Sequence, residues 1–175
     1  MDIKDLTGQC GAVVTPGFGI TIYAVCPCDI ETYPAFKTTT AVGDSITLDG
    51  DIVLKTGKKF ATITAISETV GLNENSVGVV GSKAIQNDFN FKALKTKASD
   101  DWVETHLNGC FLFVIKNKEG QMRVVGSPDV PATLDTAVGV NGLALSDEKN
   151  WALKIMDNTG HVAPYYEGEI DLVGA

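Results

Sequence analysis

Hydrophobic and polar residues alternate with a period of two along much of the chain, which is the pattern of a β-strand with one buried face. In "FGITIYAV" the residues Phe18, Ile20, Ile22 and Ala24 share one face, so 18–25 is predicted as a strand. The stretches "KFATITAISE", "DFNFKALK" and "NWALKIMDN" show the same alternation. The pattern therefore predicts a sheet-rich protein.

The stretch "GCFLFVIKNKEGQMRVVGSP" has the form of a β-hairpin, because two hydrophobic arms flank a polar tip at Asn117–Gly120. The first arm carries apolar residues on both faces, in two alternating sets: Phe111, Phe113 and Ile115, then Leu112, Val114 and Lys116. We expect both faces to be covered. The second face is expected to pack under a helix or against another subunit.

Several other segments are predicted from turn residues and prolines. "SITLDGDIVLK" is predicted as two short strands meeting at Asp49-Gly50, or as one strand with a bulge at Gly50. "GLNENS" is interpreted as a polar break. A long loop is predicted at about 29–45 and an extended connection at about 128–142, since Pro128 and Pro131 lack the donors of a central strand. The tail holds one more candidate strand, Tyr166–Val173.

One short helix is predicted at about 99–108, with Ser99 as the capping residue and Gly109 after its end. Four residues at helical spacing form its apolar side: Trp102, Val103, His106 and Leu107. With roughly seven to nine strands, the pattern favours a mainly β fold, an antiparallel β-barrel or sandwich with one flanking helix. Residues 1–175 are predicted to form a single domain.

Composition narrows the functional classes. Apolar residues make up 44% and charged residues 21%, as in ordinary globular proteins. The net charge of -8 repels phosphate, so the sequence disfavours reading of nucleic acid. The start "MDIKDLTGQCGAVV" lacks a secretory signal, and no segment has the length of a membrane helix. We therefore expect folding in a cytoplasm, with cysteines 10, 26, 28 and 110 as thiols.

The strongest candidate for reactive chemistry is "CPCD", Cys26 to Asp29. Two thiolates one residue apart could contribute to a zinc or copper site, but the spacing to Cys10 and Cys110 matches no familiar metal motif. Structural thiols are the preferred interpretation. His106 and His161 have no local partner that suggests a catalytic base. The chain is predicted to be no enzyme and to have no catalytic, metal or cofactor site.

The order of elements resembles bacteriophage tail tube and tail-associated structural proteins, particularly those of Bacteroidetes phages and prophages. A strand is followed by the loop "CDIETYPAFKTTTAVGDS", then by further strands and a helix ending in "LNG". The hairpin "FLFVIKNKEGQMRVVGS", the connection "PATLDTAVGVNG", a Trp-bearing strand and "APYY" complete the order. The resemblance covers roughly residues 10 to 170 and rests on element order rather than on one diagnostic motif.

The resemblance implies a virion protein that is assembled in the bacterial cytoplasm. Its partners would be copies of itself, in a hexameric ring or another homo-oligomer, and other tail proteins. DNA would pass only as conducted cargo, and no membrane would be involved. The loop at about 29–45 would lie on a neighbouring subunit, which makes Tyr33 and Phe36 candidate subunit-contact residues.

Two alternatives remain open from the sequence. The first is a β-barrel binding module, such as a capsid decoration or carbohydrate-contacting domain, with an exposed aromatic cluster of Tyr33, Tyr165 and Tyr166. The second, which the pattern favours least, is an enzyme with a nucleophile or metal at Cys26 and Cys28. Self-assembly, glycan affinity and bound metal would distinguish the three.

Overall fold

The computed structural model describes residues 16–144 and 146–173. Within them the chain forms eleven strands and one α-helix: β1 (Phe18–Val25), β2 (Ile30–Thr32), β3 (Val53–Leu54), β4 (Ala61–Thr64), β5 (Gly71–Val77), β6 (Ala84–Leu94), α1 (Lys97–His106), β7 (Cys110–Asn117), β8 (Met122–Val125), β9 (Ala132–Val140), β10 (Asn150–Gly160) and β11 (Tyr165–Tyr166). Two single-turn 3-10 helices, Pro27–Asp29 and Asp44–Ile46, lie between the early strands. The predicted mainly β class is confirmed.

The main sheet has nine strands in the order β11-β8-β7-β9-β10-β6-β5, and β1 joins it beside β7 with β4 beyond β1. Its strand pairs are antiparallel. Within the described ranges β4 pairs only with β1, and β5 only with β6. The sheet therefore does not close into a barrel, and the sandwich alternative fits.

The two halves of the sandwich meet at β7, which changes partner along one edge. Residues Phe113–Lys116 pair with β8, whereas Cys110 and Phe111 pair with β9. Gly126 lies between the two partners with a φ of 90°. A Cβ atom there would come within 2.8 Å of the Phe111 carbonyl oxygen and the Ala132 nitrogen. The change of partner therefore requires glycine at this corner.

Both faces of β7 are buried, as predicted, since Phe111 to Ile115 are at most 5% exposed. The first face contributes to a cluster with residues of the opposite half of the sheet: Phe111, Phe113, Ile115, Phe89, Phe91, Leu153 and Ile155. The second face packs on the chain's own 48–60 segment and tail, in a cluster that includes Leu112, Val114, Leu48, Ile52, Phe60 and Tyr166. The expectation of a helix or subunit over this second face is wrong.

The helix packs on the first face, where the Trp102 and Phe111 rings stack with centroids 5.8 Å apart. The predicted capping residue is wrong, because Thr96 rather than Ser99 caps the helix. Ser99 is the third helical residue, and its backbone N–H donates to Thr96 Oγ1 at 3.2 Å while Thr96 N–H donates to Ser99 Oγ at 2.8 Å. The described part of the chain contains no helix with the length and apolar run needed to cross a membrane.

Two segments that were predicted to be irregular are strands. "GLNENS" belongs to β5, which pairs with β6 from Gly71↔Asn90 to Val77↔Ala84 without a break in register. The connection at about 128–142 contains β9, which pairs with β10 along most of its length. Pro131 precedes β9, so its missing donor removes no ladder hydrogen bond. Backbone pairing with β6 and β10 forms these two strands, although their side chains show little alternation.

The hairpin predicted at Asp49-Gly50 is wrong. Leu48 forms a bridge with Phe36, whereas β3 pairs with β2. The loop at about 29–45 therefore contains a strand at its start. The predicted strand Tyr166–Val173 is also wrong beyond its first residue, because β11 ends at Tyr166.

The aromatic centre of the sandwich provides a stability test. The Phe89 ring is fully buried. Its centroid lies 5.3 Å from the centroid of the Phe91 ring and 5.5 Å from that of the Phe113 ring. Phe89→Ala should lower the free energy of unfolding by about 3–5 kcal/mol, because a cavity replaces these contacts. Urea denaturation measures the change. Phe36→Ala is the matched control at a 37% exposed site, with an expected cost of about 1 kcal/mol or less; equal costs would contradict this packing.

Candidate functional site

The candidate contact residues Tyr33 and Phe36 lie on a segment that backbone hydrogen bonds hold in place. Lys37 N–H donates to the Thr47 carbonyl at 2.9 Å, and Asp49 N–H donates to the Ala35 carbonyl at 2.8 Å. Phe36 is thereby held opposite Leu48 in an isolated antiparallel bridge. The base of the predicted loop is thus part of the folded body.

Tyr33 and Phe36 line one surface cavity of about 480 Å³. The other lining residues come from the turn after β8 and from the end of β10 and its following turn: Gly126, Ser127, Pro128, Asp129, Val130, Thr159, His161 and Pro164. The Phe36 and His161 rings meet edge to face, with centroids 6.2 Å apart. Sequence reasoning placed the first two residues on one loop but missed His161, since the fold alone brings it to Phe36.

A buried polar group lies close to this cavity. The Asp157 carboxylate is fully buried and accepts hydrogen bonds from Asn87 Nδ2 at 2.9 Å and from Thr159 N–H at 2.9 Å. Asn87 Nδ2 also donates to the His161 carbonyl at 2.9 Å, which fixes the turn that carries this histidine. Burial, and after it the charge of Asp157, raises the pKa of Tyr33 to about 12. The phenol therefore stays protonated at pH values above its ordinary pKa of 10.0.

The loop beyond Phe36 projects from this anchored base. Residues 38–42 are exposed, and Val42 is 98% exposed at the far end. Asp44 closes the turn, since its carboxylate accepts from Ala41 N–H at 3.1 Å and from the Thr39 hydroxyl. Lys37 Nζ donates to Glu167 at 2.5 Å, which raises the pKa of Lys37. The arrangement presents an apolar tip on a fixed base, and its contact with another subunit stays a prediction.

The expectation of thiols at Cys26 and Cys28 is wrong, because the structure joins the two sulfur atoms in a disulfide. Pro27 starts a 3-10 turn in which Asp29 N–H donates to the Cys26 carbonyl at 2.9 Å. The Asp29 carboxylate lies within 4.8 Å of both sulfurs. Cys110 is an exposed free thiol, and Cys10 lies outside the described residues.

The aromatic cluster expected for a binding module does not form. Tyr166 is 2% exposed, donates its hydroxyl to the Glu169 carbonyl at 2.8 Å and accepts from Ile52 N–H at 3.1 Å. Tyr165 is covered by the Arg123 guanidinium, 4.4 Å from the ring centroid. Neither side chain lines the cavity beside Tyr33.

Comparison of the chain with protein-family models, with curated proteins and with solved structures gave no match. The resemblance to tail proteins therefore remains a prediction from the order of elements.

The raised pKa of Tyr33 predicts a pH dependence of stability. A pKa raised by folding means that the contribution of the neutral phenol is complete below its ordinary pKa of 10.0 and is lost as the pH rises towards about 12. In this range the wild type should lose more unfolding free energy than Tyr33→Phe, which has no proton to release. Urea denaturation at several pH values measures the difference. Parallel curves for the two proteins would contradict the buried position of this phenol.

Proposed function

We propose that this chain is a non-enzymatic structural subunit that works by assembling with copies of itself, as a tail tube-like component of a phage or phage-derived particle. The copies would form rings or a tube and would also contact other tail proteins. The order of sequence elements suggests the particle. The outer edge of β5, which pairs with no other strand in the described ranges, is the observation that supports assembly.

The β5 edge lacks the devices that normally block strand addition. Natural edge strands are guarded by bulges, prolines, lysines or short length. β5 is seven residues long, keeps an unbroken register with β6 and contains no proline or lysine. Its one charged side chain, Glu74, is held by Arg123 and by Ala163 N–H. The outer backbone groups of β5 are therefore open to a strand from another copy.

Exposed apolar residues lie near both candidate contact elements. Val79 and Val80 form the tip of the β5–β6 hairpin and are 75% and 93% exposed. Val42 occupies the tip of the 38–42 loop, which is rich in threonine. Threonine and valine favour extended backbone. We assign the loop of one copy to the β5 edge of the next copy.

A contact between two different surfaces of the same protein propagates around a ring or along a tube, because each copy still offers both surfaces after it has bound. The Tyr33 and Phe36 base would set the direction in which the loop leaves each subunit. The net charge of -8 suits a conduit, since an acidic wall repels the phosphates of conducted DNA and so lets the duplex slide. The binding-module alternative has less support, because its expected aromatic cluster is dispersed.

The assembly test uses lysines as edge guards. Asn73→Lys/Val77→Lys places two cations on the exposed face of β5. This variant should sediment as a folded monomer, whereas the wild type should form rings or tubes that are visible by electron microscopy. Sedimentation velocity at physiological salt measures the difference, and circular dichroism checks the fold.

The matched control adds the same charge elsewhere. Leu143→Lys/Val173→Lys changes two residues that are 105% and 89% exposed and lie outside β5, so it should assemble like the wild type. A wild type that stays monomeric up to its solubility limit would overturn the proposal. Unchanged assembly of the β5 variant would exclude β5 as the contact.

A further inference from the structure

The Cys26–Cys28 disulfide closes a loop with a single intervening residue, Pro27. A disulfide stabilises a fold mainly by restricting the unfolded chain, and this effect shrinks as the closed loop becomes shorter. The same turn is held by backbone hydrogen bonds, because Asp29 N–H donates to the Cys26 carbonyl at 2.9 Å and Ile30 N–H donates to the Pro27 carbonyl. The turn therefore has little need of the disulfide for its conformation.

The segment that starts at Lys55 holds this turn from outside. Lys55 N–H donates to the Asp29 carbonyl at 2.9 Å, and Lys55 Nζ donates to the Cys28 carbonyl at 2.7 Å. β2 continues from the turn and pairs with β3. None of these contacts uses a sulfur atom. The disulfide can therefore open and close while the surrounding backbone keeps its position.

The two cysteines differ in their access to solvent. Cys28 is exposed, whereas Cys26 is partly buried. A disulfide opens when a thiolate attacks one of its sulfur atoms, and the rate depends on access to that atom. Attack at the Cys28 sulfur leaves the Cys26 sulfur as the leaving group.

The charges beside the disulfide favour its opening. The Lys55 ammonium lies beside Cys28, where it attracts an anionic thiolate and stabilises the thiolate that reduction releases. The Asp29 carboxylate, within 4.8 Å of both sulfurs, has the opposite effect. Lys58 Nζ lies 3.0 Å from Asp29 Oδ1 and offsets that negative charge. The Asp29–Lys58 pair is neutral as a whole, so Lys55 adds a positive charge.

The same residues fit a metal ion less well. Two sulfurs and one carboxylate lie close together, but the Asp29 carboxylate is already paired with Lys58. The ammonium groups of Lys55 and Lys58 also repel a divalent cation. Thiol–disulfide exchange therefore agrees better with the local charges than metal binding does.

We infer that the Cys26–Cys28 disulfide is a redox-active site that exchanges with thiol reductants. First, a thiolate of the reductant forms a bond to Cys28 Sγ, the bond between the two cysteine sulfurs breaks, and Cys26 leaves as a thiolate. A second thiolate, from the same dithiol or from another thiol molecule, then attacks the reductant's sulfur in the mixed disulfide and releases the Cys28 thiolate. The reductant is oxidised to a disulfide, and the protein gains two electrons. The protons of the reductant's thiols pass to solvent or to the two cysteines.

Pro27 favours the reverse reaction. Its ring fixes the backbone φ angle between the two cysteines, and the hydrogen-bonded turn keeps their sulfurs close after reduction. A thiol that is tethered so near its partner has a high effective concentration. Oxidised glutathione, which accepts the two electrons, should therefore restore the bond.

Redox titration of the full chain tests the exchange. Cys10→Ser/Cys110→Ser leaves Cys26 and Cys28 as the two remaining cysteines. Excess reduced glutathione, without denaturant, should expose two thiols to a maleimide, counted by mass spectrometry, and oxidised glutathione should remove both. Circular dichroism should be the same in the two states. A disulfide that opens only in denaturant, two thiols that persist in oxidised glutathione, or one zinc ion per chain that blocks reoxidation would each overturn the inference.

The role of the cation is tested in the same background. Lys55→Met should slow reduction by dithiothreitol at least about threefold, because it removes the positive charge beside Cys28. Lys83→Met is the matched control, since it removes an exposed lysine from the β5–β6 hairpin and should react like the parent protein. Equal rates for the Lys55 variant and the parent protein would contradict the electrostatic basis of the site.

Single-cysteine variants test which sulfur is attacked, and they do not depend on the disulfide itself. In the Cys10→Ser/Cys110→Ser background, Cys26→Ser leaves Cys28 as the one thiol and Cys28→Ser leaves Cys26. A pyridyl disulfide should react with Cys28 at least about tenfold faster than with Cys26, because Cys28 is exposed. Equal rates, or faster reaction at Cys26, would overturn the assignment. Assembly is measured separately, so failure here leaves the proposed function standing.

Discussion

Burial of β7 on both faces is the constraint around which the other layers are arranged. Five consecutive apolar residues, 111–115, need a cover on each side, so the sandwich half with Phe89 and Phe91 lies on one face and the 48–60 segment on the other. Because both faces are apolar, burial alone does not set the register of this strand. The turn does so: Asn117 Oδ1 accepts from Glu119 N–H at 3.1 Å and from Gln121 N–H at 2.8 Å.

The same arrangement explains why the sheet stays open. β7 pairs with β1 on one edge and with β8 and β9 on the other, so the two halves diverge from a shared strand. At the opposite side residues 65–70 connect β4 to β5, and the helix fills part of the gap. The unpaired backbone of β4 and the unguarded outer edge of β5 both result from this divergence.

The sequence predicted the elements whose side chains carry a strong pattern. β1 and β10 have clear alternation, and the β7–β8 hairpin has two hydrophobic arms around a polar tip. The helix has a capping signal, which was misplaced by three residues. β5 and β9 were missed because β6 and β10 supply their pairing through backbone groups, which side-chain patterns do not reveal. Tyr33 and Phe36 line one cavity, which His161 joins only in three dimensions, and their role as subunit contacts stays a prediction.

The long sequence separation between β1 and β7 affects synthesis of the protein. Tyr23 and Ala24 pair with Val114 and Phe113, so the amino-terminal strand leaves the ribosome long before its partner exists. β4 can pair with one edge of β1 earlier, but until β7 is translated Ile22 and its neighbours lack their second ladder and much of their core. Non-local pairing of this kind also slows folding. Nascent chains should therefore depend on chaperone protection until the ribosome has passed residue 117.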